Sequence, residues 1–150
     1  MTISKDLRFQ VSARAEGVQR LRVTAPELEH IDVAVPPEFR GPGEAWSAEA
    51  LLVASAASCY TVTFSALAER RRIPIHGLTV TGTGHVGLRD DGRVGFVVIE
   101  LTARIQTEPE FTAAAEGVAR AANSMCLVAR ALSVPVEVTP VVRAVEPAAA

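Results

Sequence analysis

Two cysteines in 150 residues are too few for a disulfide framework and too few for the usual four-ligand zinc site. Any chemistry they carry is expected to be redox. Charge of one sign is also lacking: fifteen Lys and Arg stand against seventeen Asp and Glu, a net charge of −2, with no block of five like charges. That balance leaves neither a nucleic-acid footprint nor a polybasic membrane anchor. Met1 to Asp6 shows no basic stretch leading into an apolar run, so no signal peptide is expected and the cytoplasm is the expected location. The most apolar stretch, Ala48 to Ala68, is interrupted by Glu49 and by Ser55, Ser58, Thr61, Thr63 and Ser65. A membrane span takes about 20 predominantly apolar residues, so a buried helix of a soluble protein is the better reading. The histidines His30, His76 and His85 are scattered, with no spacing suited to a metal, and neither a metal nor a bound cofactor is expected.

What is present reads as one domain over residues 1–150, long enough to bury a core without staples. Three short β-rich runs, Leu7 to Val11, Arg20 to Val23 and Ile31 to Val35, are separated by Gly17 and Pro26 and stopped by Pro36-Pro37. After a Gly41-Pro42-Gly43 loop, Ser47 is a plausible N-cap. From Ala48 to Arg71, Leu51, Leu52, Ser55, Ala56, Cys59, Val62, Ala66 and Leu67 recur at helical spacing, with Pro74 just beyond. Two β-rich segments, Leu78 to Leu88 and Val94 to Thr107, flank Arg89-Asp90-Asp91-Gly92, whose Asp-Gly step favours a tight antiparallel hairpin. A second helix is expected from Glu110 to Leu132, a last strand from Val136 to Val145, and a frayed end from Pro147 to Ala150. Strands, helix, hairpin, helix and strand describe an α+β fold with two long helices packed on an antiparallel sheet.

Cys59 and Cys126 each fall inside an expected long helix among apolar or small neighbours. Taken alone, that position fits two small hydrophobes in a core. The surrounding residues point further. The stretch from Pro36 to Cys59, Pro-Pro-Glu-Phe-Arg-Gly-Pro-Gly-Glu-Ala-Trp-Ser-Ala-Glu-Ala-Leu-Leu-Val-Ala-Ser-Ala-Ala-Ser-Cys, resembles the signature of the OsmC/Ohr family of thiol-dependent peroxidases. The likeness lies in a Gly-rich loop, a helix start and Ala-rich turns that end at the peroxidatic cysteine. Cys126 falls where that family keeps its resolving cysteine, and the order of elements is similar along most of the chain. The chain departs from the family pattern at two places. Cys126-Leu127-Val128-Ala129 stands where Cys-Pro-x-Ser is frequent, and Ser47-Ala48-Glu49-Ala50 stands where Asn-Pro-Glu-(Glu/Gln) is commoner.

The resemblance implies that Cys59 attacks an organic peroxide or hydrogen peroxide, becomes a sulfenic acid, and is resolved by Cys126 as a disulfide. Recycling then takes an external dithiol, a lipoylated protein or a small molecule. Only a thiolate attacks efficiently, and apolar burial raises a thiol pKa. Cys59 lies too deep in its own helix for that helix's N-terminus to help, so an arginine is the expected aid. In the family this arginine comes from the N-terminal strands and is held by a glutamate near the start of the first helix. Glu49 matches that glutamate and Arg20 is the chosen arginine, with Arg14, Arg22 and Arg40 remaining open. The alternatives are a helix-end carboxylate for Glu49 and solvated strand faces for the arginines.

Helix geometry places Glu49 about 15 Å from Cys59 along the axis and roughly 80° around it. Either the arginine spans that gap or the glutamate serves a partner subunit. With a helix nearly free of charge from Ala50 to Ala68, an intertwined homodimer with the peroxide pocket at its interface is expected, as the resemblance also implies. The runner-up is a non-catalytic dimer of the same fold that binds a small apolar ligand, its cysteines structural. Gly82, Gly84 and Gly87 formally match a dinucleotide fingerprint, but they lie inside a β-rich stretch and open no helix. Phe39, Trp46, Tyr60 and Phe64 are read either as a lining for an alkyl peroxide or as core and dimer contacts.

Overall fold

The computed structural model describes residues 6–146, so the expected fraying of Pro147 to Ala150 lies outside the described residues. The chain divides into two compact units, Met1–Leu51 and Leu52–Ala150.

The first unit holds an antiparallel sheet in the order β1 (Ser12–Ala15), β2 (Arg20–Thr24), β3 (Ile31–Ala34). Its first strand is not the expected Leu7 to Val11, whose residues are exposed and outside any strand. The turn through Gly17 decides this: Glu16 N–H donates to Arg20 C=O at 2.9 Å, so the residues immediately before the turn are the ones that pair, Ala15 with Leu21 and Ser12 with Thr24. Arg14 and Arg22 then sit directly opposite each other, a destabilising arrangement relieved by Glu16 and Asp32. Beyond β3 the chain turns through Pro37–Phe39 and returns beside it, with Ala34 N–H donating to Trp46 C=O at 2.8 Å. The Ser47 hydroxyl accepts the Ala50 N–H at 3.0 Å, which makes it the N-cap the sequence suggested.

Helix α1 (Ala48–Arg70) continues into the second unit. By length and composition it is apolar enough to cross a membrane, yet Ala56, Tyr60, Phe64, Leu67 and Ala68 form a buried stripe along it. That stripe belongs to a core completed by Ile99, Leu101, Ala103 and Ile105 and by Ala115, Val118, Ala119 and Ala122. Tyr60 and Phe64 are fully buried and their rings stack at 6.4 Å, so both belong to the core. The Tyr60 hydroxyl donates to the Ala119 carbonyl at 3.0 Å, and burial pushes its pKa up to about 12.

The hairpin β4 (Ile75–Leu88) and β5 (Val94–Thr107) is antiparallel and closes as expected, with Gly92 in the left-handed region and its N–H on Arg89 C=O. Gly82 and Gly84 are packing glycines: a Cβ on Gly82 would lie 2.8 Å from Val53 Cγ1, and one on Gly84 2.7 Å from Val53 Cγ2. They let α1 approach the sheet closely, which gives these two glycines a packing role.

The α+β class is as expected, but the last strand, β6 (Val136–Ala144), pairs parallel to β5, so the sheet is mixed. The reason is the helical crossover between them, the usual way to join parallel neighbours. The expected single helix from Glu110 to Leu132 is broken. A turn at Pro109–Phe111 leads into α2 (Thr112–Met125), and α3 (Leu127–Ala131) follows after one non-helical residue, Cys126.

Candidate active site

Cys126 therefore lies between two helices rather than inside one, in an extended conformation with φ −67° and ψ 118°. No proline or glycine marks the break. Asn123 supplies a physical reason: its carboxamide N–H donates to the Val136 carbonyl at 2.9 Å, and its backbone carbonyl accepts the Cys126 N–H at 3.3 Å. A side chain committed to β6 and a tightened i to i+3 bond end α2 there. In the family's Cys-Pro pattern the proline itself would force the preceding residue extended. Here Leu127 occupies the first position of α3, keeps the same break, and retains the N–H a proline would lack.

That N–H is used. Both cysteines are free, Cys59 partly buried on α1 and Cys126 only 1% exposed. Burial pushes the Cys59 thiol up, but hydrogen bonds from the Val128 backbone N–H, the Cys126 thiol, the Leu127 backbone N–H and the Thr63 hydroxyl together outweigh it. The result lies below the ordinary cysteine range. The Thr63 hydroxyl also reaches the Cys59 carbonyl, at 2.8 Å. For Cys126 the balance is opposite. Burial raises its pKa, the Ala129 and Val128 N–H groups offset part of this, and the neighbouring Cys59 raises it further both as hydrogen-bond acceptor and by charge. The pair is thus asymmetric: the partly buried Cys59 thiol is pushed below the ordinary range and the enclosed Cys126 thiol above it.

Leu127, Val128 and Thr63 were missed in the sequence. Thr63 was legible, since it falls four residues after Cys59 and therefore on the same helix face. The two N–H groups were not, because a continuous helix leaves no free donors at residues 127 and 128.

The remaining candidates lie in Met1–Leu51. Arg20 Nη2 is 3.3 Å from Glu44 Oε2, Arg14 Nη2 is 2.6 Å from Glu16 Oε1, and Arg22 Nε is 3.1 Å from Asp32 Oδ1. Arg40 occupies the left-handed region at the end of the Pro37–Phe39 turn. Arg20 thus meets Glu44, where the resemblance implied Glu49. Glu49 sits in the first turn of α1, its Oε2 buried without a hydrogen-bond partner among the described residues. Among the described residues no cluster of three or more His, Cys, Asp or Glu is placed to hold a metal ion. His76 and His85 pair instead with Glu108 at 3.4 Å and Glu100 at 2.7 Å.

Comparison with known proteins bears on the fold and the family. The Vibrio cholerae OsmC-like protein of unknown function superposes with a TM-score of 0.82 at 14% identity, covering 91% of this chain and 100% of that one. An organic hydroperoxide resistance protein of Elizabethkingia anophelis gives 0.77 at 19% identity, with 95% and 99% covered. An organic hydroperoxide resistance protein OsmC of Legionella pneumophila gives 0.74 at 23%, with 93% and 100% covered. In sequence the chain is 26% identical over 108 residues to the uncharacterized protein YmaD of Bacillus subtilis, spanning 70% of this chain and 72% of that protein. The model of the OsmC-like protein family matches residues 41–140, a stretch that contains both cysteines and the whole of α1, and on that match the chain belongs to the OsmC-like family.

Proposed function

We propose that this protein is a cysteine-based peroxidase that reduces organic hydroperoxides or hydrogen peroxide through Cys59 and Cys126. The observation that carries the reading is a pair of free cysteines, Cys59 partly buried and Cys126 enclosed, whose surroundings push the first thiol below the ordinary cysteine range and the second above it. The Cys59 thiolate attacks the distal peroxide oxygen and forms an S–O bond to it, the O–O bond breaks, and the other oxygen leaves as an alcohol or water after taking a proton. Cys59 is left as a sulfenic acid. The Cys126 thiol condenses with it, water departs, and a disulfide forms. An external dithiol, from a lipoylated protein or a small molecule, reopens it by exchange. Family membership supports the reading, as does the fold shared with organic hydroperoxide resistance proteins.

Arg20 remains our choice for the cation that assists Cys59, with Glu49 as the carboxylate that steadies it, in a single OsmC-like domain working in the cytoplasm. A buried carboxylate oxygen without a donor costs roughly 1–3 kcal/mol. The unpartnered Glu49 Oε2 therefore favours a donor from a second copy, in a homodimer whose interface contains the peroxide pocket. Full activity in a monomer by size-exclusion chromatography would contradict that part.

The competing reading, a non-catalytic binder of a small apolar ligand, draws on Cys126-Leu127-Val128-Ala129, which lacks the family's proline and serine. Titrating thiols before and after one equivalent of cumene hydroperoxide separates the two. The peroxidase loses both thiols together, whereas the binder keeps both.

A further inference from the structure

We propose that the outer face of the sheet formed by β4, β5 and β6 is a contact surface for a second copy of this chain, held by charges gathered at opposite ends of that face. It lies on the side of the sheet away from α1, so it is separate from the interface of the proposed homodimer, and either can exist without the other.

The sheet has two unlike faces. Ile99, Leu101, Ala103 and Ile105 of β5 belong to the core with α1 and α2, so Glu100, Thr102, Arg104 and Gln106 point the other way. The pairing registers carry that outer face across the sheet. Thr83, Glu100 and Glu137 form one row, and Thr81, Thr102 and Thr139 form the next. Thr79, Arg104 and Val141 form a third, with Gln106 beside Arg143 beyond it. Acid thus sits at one end, threonine in the middle and arginine at the other end. All of these residues are exposed except Thr102 and Val141, which are half-buried.

A polar outer face is the ordinary state of a solvated sheet. The arrangement of charge is what sets this one apart. Glu100 and Glu137 stand directly opposite each other, on strands about 4.8 Å apart, where like charges repel. His85 Nε2 lies 2.7 Å from Glu100 Oε2, but among the described residues Glu137, Arg104 and Arg143 have no ion pair. Arg104 Nη1 reaches only the Thr81 hydroxyl, at 3.5 Å. In the sheet of Met1–Leu51, by contrast, Arg14, Arg20 and Arg22 each meet a carboxylate. One sheet pairs its charges within the chain, and the other separates them.

Separation makes the face self-complementary. A two-fold axis lying in the plane of contact and crossing the strands at the threonine row sets two copies face to face, with strands antiparallel. Glu100 and Arg104 lie two residues either side of Thr102, about 7 Å each way along β5. The axis therefore brings Glu100 of each copy opposite Arg104 of the other. Glu137 comes opposite Val141 of the other copy, with Arg143 two residues further on and long enough to reach back. The contact relieves the repulsion between the two glutamates and supplies the arginines with the carboxylates they lack. Built from exposed ions and hydroxyls with little apolar area, it is expected to be weak and to dissolve in salt.

The test is sedimentation equilibrium of the full chain in sodium chloride at about 0.03 M and about 0.5 M. Concentrated wild type should double its mass in low salt, and the association constant should fall by about tenfold or more in high salt. Glu100→Arg with Glu137→Arg, and Arg104→Glu with Arg143→Glu, should each remain at half that mass, because both ends then carry one sign. Mixed in equal amounts, the two variants should associate at least as tightly as wild type. Circular dichroism and urea unfolding check that each variant folds, and the single exchanges Glu100→Arg and Arg104→Glu replace a double variant that does not. A wild-type mass independent of salt, variants that self-associate as wild type does, or folded variants that fail to associate when mixed would each overturn the proposal. The doubling is counted from whatever unit high salt leaves, a monomer or the α1 homodimer. Absence of the homodimer therefore leaves this contact standing, and absence of this contact leaves the homodimer standing.

Discussion

The sheet of Met1–Leu51 and the sheet of Leu52–Ala150 have three strands each, and they are held by different forces. In the second, strands alternate so that Ile99, Leu101, Ala103 and Ile105 all point into one buried layer under α1 and α2. In the first, Val33 and Ala34 are the only buried hydrophobic residues among those described, while Phe9, Val18, Leu28 and Trp46 stand exposed. Its strands carry ion pairs instead, Arg14 with Glu16, Arg20 with Glu44 and Arg22 with Asp32. Ion pairs at a solvated surface are individually weak, and packed side chains are not. The contrast bears on the proposed chemistry: both cysteines lie in the packed unit, and the arginines proposed to assist lie in the other.

Substitutions measured by urea unfolding can break this comparison or sharpen it. The largest effect is expected for Phe64→Ala, which empties a fully buried site against Tyr60 and should cost about 3–5 kcal/mol. Next comes Gly84→Ala, whose new methyl meets Val53 and Phe96 in the gap between α1 and the hairpin. The overpacking should cost about 1–3 kcal/mol. The smallest is Arg22→Ala in the first sheet, where the pair with Asp32 is partly exposed and the loss should stay below about 1 kcal/mol. If Arg22→Ala destabilised the protein as much as Phe64→Ala, the distinction between the two sheets would be wrong.

Legibility in the sequence follows the same division. α1, the hairpin and its Asp-Gly turn were readable because their patterns run for many residues and agree with their packing. The strand expected at Leu7 to Val11 failed because alternation identifies a pleated segment without saying which residues will find partners. The turn at Gly17 settled that in favour of the weaker pattern Ser12-Ala13-Arg14-Ala15. The parallel pairing of β6 could have been inferred from the long helical stretch before it, since tight hairpins join antiparallel neighbours. At the site, both cysteines and Thr63 were visible as residues, and the backbone N–H groups that make the two sulfurs unequal were not. The break at Cys126 comes from a bond between Asn123 and β6, a tertiary contact with no local signature. Without the break, the N–H groups of Leu127 and Val128 would have been spent inside a helix.

Those donors give the account its sharpest test, a titration of thiolate absorbance near 240 nm in the reduced protein, read as the difference between wild type and Cys59→Ser. A thiol lowered in pKa forms its anion at a lower pH, so the step lost with Cys59 should have its midpoint below that of an ordinary cysteine. Leu127→Pro fits the extended Cys126 and the first position of α3 while deleting one donor, so it should move that midpoint upward. A Cys59 midpoint at or above the ordinary cysteine value, unmoved by Leu127→Pro, would contradict the claim that its neighbours lower the pKa of this thiol.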